Sequence, residues 1–487
     1  MEAVPIALFW ILSITAFLGK SHRLLYLFFC SMPFGSFAVI PPELTAGLTL
    51  TPTPIVALMI FAQQCLGRRR MERAISLALT PKHLLLLFIF WIVCVFTTVF
   101  MPRLFAAKVM VIPMRLEDST YGEALYPTSQ NISQLAYLTI SVAVVFAFAQ
   151  MLRSSEMRRH AVYALVAGGL TVVVTGFLDY LAQFAPISPL LEPFRTATYA
   201  LITEAKVQGA KRIVGLMPEA SAYGGLALTF LAAIYFFRRS LTSGFFKNLV
   251  VPTVLILLVL FIWLSTSSSA YVGFGAFCFV VVLEWLHRAT KHGPRNTYRQ
   301  GLAIEFWIMA SIGMCVCAVA LFKPSLMDPF VRMVDEMVFQ KTSSSSFEER
   351  SMWTAVSWQA LLDSYGLGVG LGGTRASNGV VSMFSSVGFI GGFLYFAFLF
   401  QTFFLRAPTG DALRRVASAA TFWSFLPTFV AVVLAGTTPD FGTFNGFLFG
   451  MALAVSLPVR GPPSRSGVLG NDLPGAGRTA IAWHLRQ

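Results

Sequence analysis

Two segments of the chain set charged side chains where they could do chemistry. The first, "VQGAKRIVGLMPEASAYGG" (207–225), places Lys211 and Arg212 just before an apolar run and Glu219 where that run begins. The second, "FEERSMWTAVSWQALLDSYGLGVGLGG" (347–373), opens on Glu348, Glu349 and Arg350, ends on glycines, and is followed by Arg375. Asp179, in "GFLDYLAQ", stands near the end of another apolar run. The cations offer charge to phosphate, and a carboxylate at the edge of an apolar run faces a partner or a water-filled cavity. Simpler readings stay open: arginines that snorkel to lipid head groups, and acids that only start a surface helix.

The elements that must position these residues are membrane helices. Hydrophobic residues make up 56% of the 487 and charged residues only 12%, against about 25% charged in a soluble domain. Apolar runs of a length that crosses a hydrocarbon core recur from end to end. They are too long and too uniform for barrel strands, so the expected fold is all-α, a polytopic bundle of twelve or thirteen spans. The candidate spans lie near 4–19, 24–40, 54–66, 83–100, 131–152, 161–184, 216–237, 249–264, 270–287, 301–322, 384–405, 417–437 and 445–458. Residues 1–458 form this membrane domain, and the Pro-, Gly- and Ser-rich tail 459–487 is expected to be disordered. No cleavable signal peptide is read at the start, where residues 4–19 are expected to span.

Lysine and arginine set the expected orientation. "GRRRMER" (67–73), "RSSEMRRH" (153–160), "RRSLTSGFFK" (238–247), "HRATKHGPRNTYR" (287–299) and "RAPTGDALRR" (406–415) all fall on one side, with the tail. The positive-inside rule makes that side the cytoplasm. The net charge of +14 is then a topology signal and a contact with anionic lipid head groups, not a nucleic-acid footprint. Loops 101–130, 185–215 and 323–383 face outward and hold every candidate except Asp179 and Glu219, which stand at the ends of neighbouring apolar runs. Glu284 and Glu305 fall toward the cytoplasmic ends of their spans, with Arg288 or Arg299 as expected partners. All six histidines fall on or near the cytoplasmic side, which leaves carboxylates as the outward-facing proton acceptors. The six cysteines lie inside spans, with no disulfide or zinc spacing.

In the late loop, Ser345 and Ser346 precede Glu348 and Glu349 at capping-box spacing, so a helix starts there. Trp353, Val356, Trp358, Leu361, Leu362 and Tyr365 supply its apolar side, and Gly366 its stop. This is a short amphipathic helix on the membrane surface or against the bundle. The glycines 368, 370 and 373 match GxGxxG, but no strand precedes them and no βαβ unit surrounds them. They read instead as a tight turn or a close backbone approach.

Four segments, "KRIVGLMPEASAYGGLAL", "LSTSSSAYVGFGAF", "ERSMWTAVSWQALLDSYGLGVGLGG" and "SNGVVSMFSSVGFIGGFLYFAF", occur in an order that resembles the O-antigen ligase/polymerase superfamily, most like its exopolysaccharide polymerases. The resemblance implies a membrane glycosyltransferase of GT-C type in the bacterial inner membrane. Its donor and acceptor are oligosaccharides on undecaprenyl diphosphate, used at the periplasmic face without nucleotide, metal or other cofactor. Arg212 and Arg350 match the family's two loop arginines. Where many members read Ser-Arg, this chain reads Ser269-Ala270.

The chemistry fits that resemblance. Negative charge grows on diphosphate as the glycosidic bond breaks, and guanidinium grips phosphate with two parallel donors. Glu219 is the first candidate to accept the acceptor hydroxyl's proton, with Glu348 and Glu349 next. Lys211, Arg375 and Asp179 are candidate substrate contacts. The glycines 366–373 are expected to let backbone pass close to the diphosphate. Ligases carry a loop histidine where this chain has Ser377-Asn378, which favours a polymerase, working with membrane lipid and a partner that sets chain length. A ligase onto lipid A core and a flippase of lipid-linked sugars remain the alternatives, although no internal repeat points to a transporter.

Overall fold

The computed structural model describes residues 3–45, 48–114, 122–207, 210–290, 301–328, 331, 332, 335 and 345–458. The tail, the basic stretch 291–300 with Arg299, and the first-loop residues 115–121 lie outside them, so their expected roles are not tested.

The protein is almost wholly helical. Its helices in chain order are α1 (Ala3–Leu18), α2 (Ser21–Ser31), α3 (Pro52–Cys65), α4 (Arg68–Leu79), α5 (Leu85–Leu104), α6 (Ser129–Met151), α7 (Ser155–Leu181), α8 (Ala220–Phe237), α9 (Val251–Leu264), α10 (Ser268–Thr290), α11 (Leu302–Phe322), α12 (Ser345–Asp363), α13 (Gly379–Phe400), α14 (Ala412–Ala435) and α15 (Gly442–Ser456). Two short antiparallel hairpins sit in loops: β1 (Met110–Val111) with β2 (Glu123–Ala124), and β3 (Lys206–Val207) with β4 (Ala210–Lys211). Among the described residues, nine helices are long and apolar enough to cross a membrane, and α1, α3 and α15 are shorter apolar helices. The chain has the build of a multi-pass membrane protein.

Helices α2, α3, α6, α7, α8, α14 and α15 make the centre, where Phe28, Phe29, Phe148, Phe230 and Phe447 are buried and meet edge to face, with Phe237 tilted against Phe447. The expected span 24–40 is not one helix. Helix α2 ends at Ser31, and 32–40 runs as irregular chain whose backbone bonds are made by protein: Ser36 N–H donates to Leu216 O at 2.9 Å, and Val39 N–H to Leu50 O at 2.9 Å. Irregular backbone within a membrane bundle requires such partners. The cluster "RRRMER" opens α4, a helix that the sequence reading treated only as a charged loop.

One end of the bundle carries the basic clusters. There Glu284 pairs with Arg288 (2.8 Å) and Arg239 (2.5 Å), and Glu305 with Arg238 (2.5 Å) and Arg288. The expected pairing with Arg288 is present, joined by two arginines from the end of α8. The other end holds the two hairpins, α12 and the segments singled out for chemistry.

Helix α13 is broken. Gly388 has φ 70°, which interrupts the helix and frees backbone groups. The glycine-rich segment after α12 fills that gap. Val369 N–H donates to Ser385 O, Gly370 N–H to Ser386 O, and Phe389 N–H to Gly366 O, each at 2.9 Å. At Gly368 (φ 81°) a Cβ would stand 2.5 Å from the Gly388 nitrogen. The close approach expected of this run is therefore to the protein's own backbone. That overturns the expected passage beside a diphosphate, because the segment is buried against α13, α5 and α6.

Candidate active site

Arg212, Arg350, Arg375, Glu219 and Glu349 come from separate stretches of chain and gather at the end opposite the basic clusters. The charges of Glu219 and Arg350 act on Arg212, and those of Glu349, Arg350 and Glu219 act on Arg375. Each arginine is half-buried, as is Glu219, whereas Glu349 is exposed. Burial pushes the Arg212 guanidinium below its ordinary pKa, Glu219 and Tyr271 pull it back, and Arg350 pushes it down again. Burial likewise lowers Arg375, Glu349 raises it and Arg350 lowers it. Guanidinium has so much reserve that both stay cationic at neutral pH. None of the three makes an ion pair within 4.0 Å among the described residues.

Each arginine is held in place by its surroundings. The Arg212 Nε donates to Ser265 O at 3.3 Å, and its backbone N–H to Ala205 O at 3.1 Å. The next turn is pinned by Asp179, whose carboxylate accepts Val214 N–H (2.8 Å), Gly215 N–H (3.0 Å) and Arg195 Nη2 (3.3 Å). Asp179 is 0% exposed. This corrects its expected substrate contact: it positions the Arg212 segment from behind. Arg375 stacks on Trp353, 3.6 Å from the ring centroid. Its backbone bonds Ile112 O at 3.0 Å and Ser357 Oγ at 3.0 Å, so α12 and the first hairpin fix it together. The Arg375 Nε and Trp353 Nε1 are buried atoms without a hydrogen-bond partner among the described residues.

Helix α12 carries Arg350 on its second turn and begins earlier than the apolar pattern alone suggests, at Ser345. The Ser345 and Ser346 side chains lie outside the described residues, so the capping box is not tested. Helix α12 ends in a Schellman-type turn, with Gly366 N–H on Leu361 O (2.8 Å) and Tyr365 N–H on Leu362 O (2.9 Å). Tyr365 (φ 53°) and the expected glycine stop, Gly366 (φ 77°), are both left-handed. The apolar side chains also divide. Trp353 and Leu361 are buried, while Trp358, Leu362 and Tyr365 are exposed on the opposite side. The helix thus packs inward through one strip and presents a second apolar strip outward.

Two cavities adjoin the cluster. One, of about 750 Å3, is lined by Arg350, Ser268, Ser269, Trp358, Ser377 and Asn378. Ala270 is buried, and its Cβ is 2.7 Å from where a Gly224 Cβ would be. Asn378 Oδ1 caps α13 by accepting Val380 and Val381 N–H at 3.0 and 3.1 Å. The second cavity, of about 620 Å3, reaches Met217 and Pro218 beside Glu219. Hydroxyls, amides and one acid line it, among them Thr49, Gln130, Tyr137, Tyr199 and Asp440.

No protein-family model and no curated protein matches this chain. The geometry stands alone, and it sorts the sequence candidates. Arg212, Arg350, Arg375, Glu219 and Glu349 share one site. Lys211 does not join it, because its Nζ pairs with Glu204 at 2.7 Å. Glu348 is an exposed acid in the first turn of α12. Sequence reasoning missed Trp353 as the platform for Arg375, Tyr271 beside Arg212, and the second cavity. The capping role of Asn378 was missed too, although it left a signal as a cap residue before an apolar run.

Proposed function

We propose that this protein is a membrane glycosyltransferase of GT-C type that polymerises undecaprenyl-diphosphate-linked oligosaccharide repeats at the periplasmic face of the bacterial inner membrane. The observation that carries the reading is the trio Arg212, Arg350 and Arg375, gathered without ion-pair partners beside Glu219. Three clustered guanidinia repel one another until an anion joins them, and a diphosphate supplies two adjacent charged groups.

In the proposed reaction an acceptor hydroxyl attacks the anomeric carbon of the donor sugar. The bond from that carbon to the diphosphate oxygen breaks, and the electron pair leaves on the diphosphate. Arg212 and Arg350 hold the growing charge in a site of low dielectric. Glu219 takes the hydroxyl proton as the new glycosidic bond forms. The polar-lined cavity beside Glu219 suits the acceptor sugar, since hydroxyls, amides and Asp440 match sugar hydroxyls and the tyrosines offer ring faces. Ser377-Asn378, with Asn378 already committed to a helix cap, favours polymerase over ligase.

The test is the glycan left when the gene is deleted. Single lipid-linked repeats on the periplasmic side, with no long chains, are expected. Long chains still on undecaprenyl diphosphate would mean a ligase, and repeats trapped on the cytoplasmic side a flippase.

A further inference from the structure

A wide cavity lies at the other end of the molecule and belongs to no step above. It measures about 1,020 Å3 and is lined by six cations, Lys20, Arg70, Arg73, Arg153, Arg158 and Arg414, against two acids, Glu156 and Asp411. These come from the starts of α2 and α7, from α4, and from the start of α14. The α7 helix alone separates this end from Asp179, with Glu156 in its first turn and Asp179 near its last, a rise of about 35 Å.

Neutral groups hold several of these cations in place without cancelling their charge. Arg158 Nη1 donates to Leu152 O and Arg153 O, both at 2.9 Å, and Arg70 Nη1 to Gln63 O at 2.7 Å. Arg414 donates to Leu457 O at 2.9 Å and Ala454 O at 3.1 Å. Asp411 is tied to its own helix, accepting Arg414 N–H at 2.9 Å. Two helices also begin here without a side-chain cap, α2 at Lys20 and α7 at Ser154. Their first-turn N–H groups and positive dipole ends add to the field. His22, Glu156 and His160 lie close enough to one another to hold a metal, but Lys20 and Arg23 bear on His22 and disfavour a cation.

The depth of the cavity follows from α4. Met71, Ile75 and Leu79, at i, i+4 and i+8, are 46%, 51% and 59% exposed, while Ala74, Leu77 and Ala78 are buried. A helix with that exposed apolar stripe and four arginines lies in the membrane interface. Its Arg70 and Arg73 then stand at the level of lipid phosphates, beside the mouth of the cavity. We propose that this cavity seats the phosphate head group of an anionic membrane lipid, and that a head group with two phosphates, as in cardiolipin, fits its charge and size best.

The test uses the full chain in phosphatidylcholine nanodiscs with cardiolipin titrated in, and reads retained lipid by native mass spectrometry. A cardiolipin molecule should stay bound, and Arg70→Ala with Arg73→Ala should weaken it roughly 30-fold. Arg68→Ala with Arg69→Ala, on the same helix but outside the cavity lining, should change it several-fold less. Equal losses from both pairs would mean only diffuse attraction and overturn the site. Retention of inorganic triphosphate in the cavity with no preference for cardiolipin over phosphatidylcholine would overturn the lipid assignment.

Discussion

A guanidinium beside two others is costly unless an anion completes the set, and this places the strongest functional demand on Arg350. It lines a cavity, it adds positive charge to the surroundings of both Arg212 and Arg375, and it stands on the outer part of α12 rather than in a packed core. Arg350→Ala should cost roughly 10²–10³ in polymer formed per molecule, with membrane levels unchanged on immunoblot. Lysine should restore little, since it lacks the planar fork. Wild-type polymer from a well-expressed Arg350→Ala protein would sink the proposed site. Glu219→Gln keeps the shape and removes the base, and should lower turnover roughly 10²–10⁴-fold. Asp179 belongs to a different class, because its carboxylate satisfies two buried N–H groups and Arg195. Asp179→Ala leaves those donors unmet, at about 1–3 kcal/mol for a buried group. It should lower the thermal midpoint as well as activity, whereas Arg350→Ala should lower activity alone.

At the scale of elements, the join between the glycine segment and the break in α13 fixes where Arg375 can be. The chain leaves α12, pairs with residues 385–389, and then turns back so that Thr374 bonds Ser357 at 2.9 Å and Arg375 lies on Trp353. Gly368→Ala should disrupt this join. Its φ of 81° alone costs about 1–2 kcal/mol for an L-residue, and its Cβ would strike the Gly388 backbone. Reduced folded protein and reduced polymer are expected, measured by detergent-solubilised yield and glycan analysis. Gly225→Ala in α8, with nothing within 4 Å of the new Cβ, should be silent. A harmless Gly368→Ala would remove the packing account of this segment. The glycines themselves were legible in the sequence as a close approach. What they approach was not, because the partner backbone at Gly388 sits inside an apolar run that reads as one unbroken span. Likewise the apolar pattern of α12 gave the helix but not its two strips, since Trp353 and Trp358 look alike until their neighbours are known.

At the scale of the whole molecule, most of the architecture was legible, because spans announce themselves by length and apolarity, and the basic clusters mark one end. Residues 32–40 escaped that reading, since buried irregular chain in a membrane bundle is as apolar as the helices around it. The site was legible as residue types and order, and its membership was settled only by contacts such as Lys211 with Glu204. Orientation is the property on which the proposed reaction depends, since in that proposal a donor diphosphate reaches Arg350 from the periplasm. The structure separates the two ends along α7, and the arginine-rich connections gather at one of them. If charge alone sets insertion, the end bearing Arg68 to Arg73 stays in the cytoplasm. In a cysteine-free background, Ser351→Cys on the exposed side of α12 should react with an impermeant maleimide in intact cells whose outer membrane has been made permeable. Glu72→Cys, exposed on α4, should react only after the inner membrane is opened. The reverse pattern would place the arginine trio in the cytoplasm, where lipid-linked repeats are built rather than joined, and the polymerase reading would fall with it.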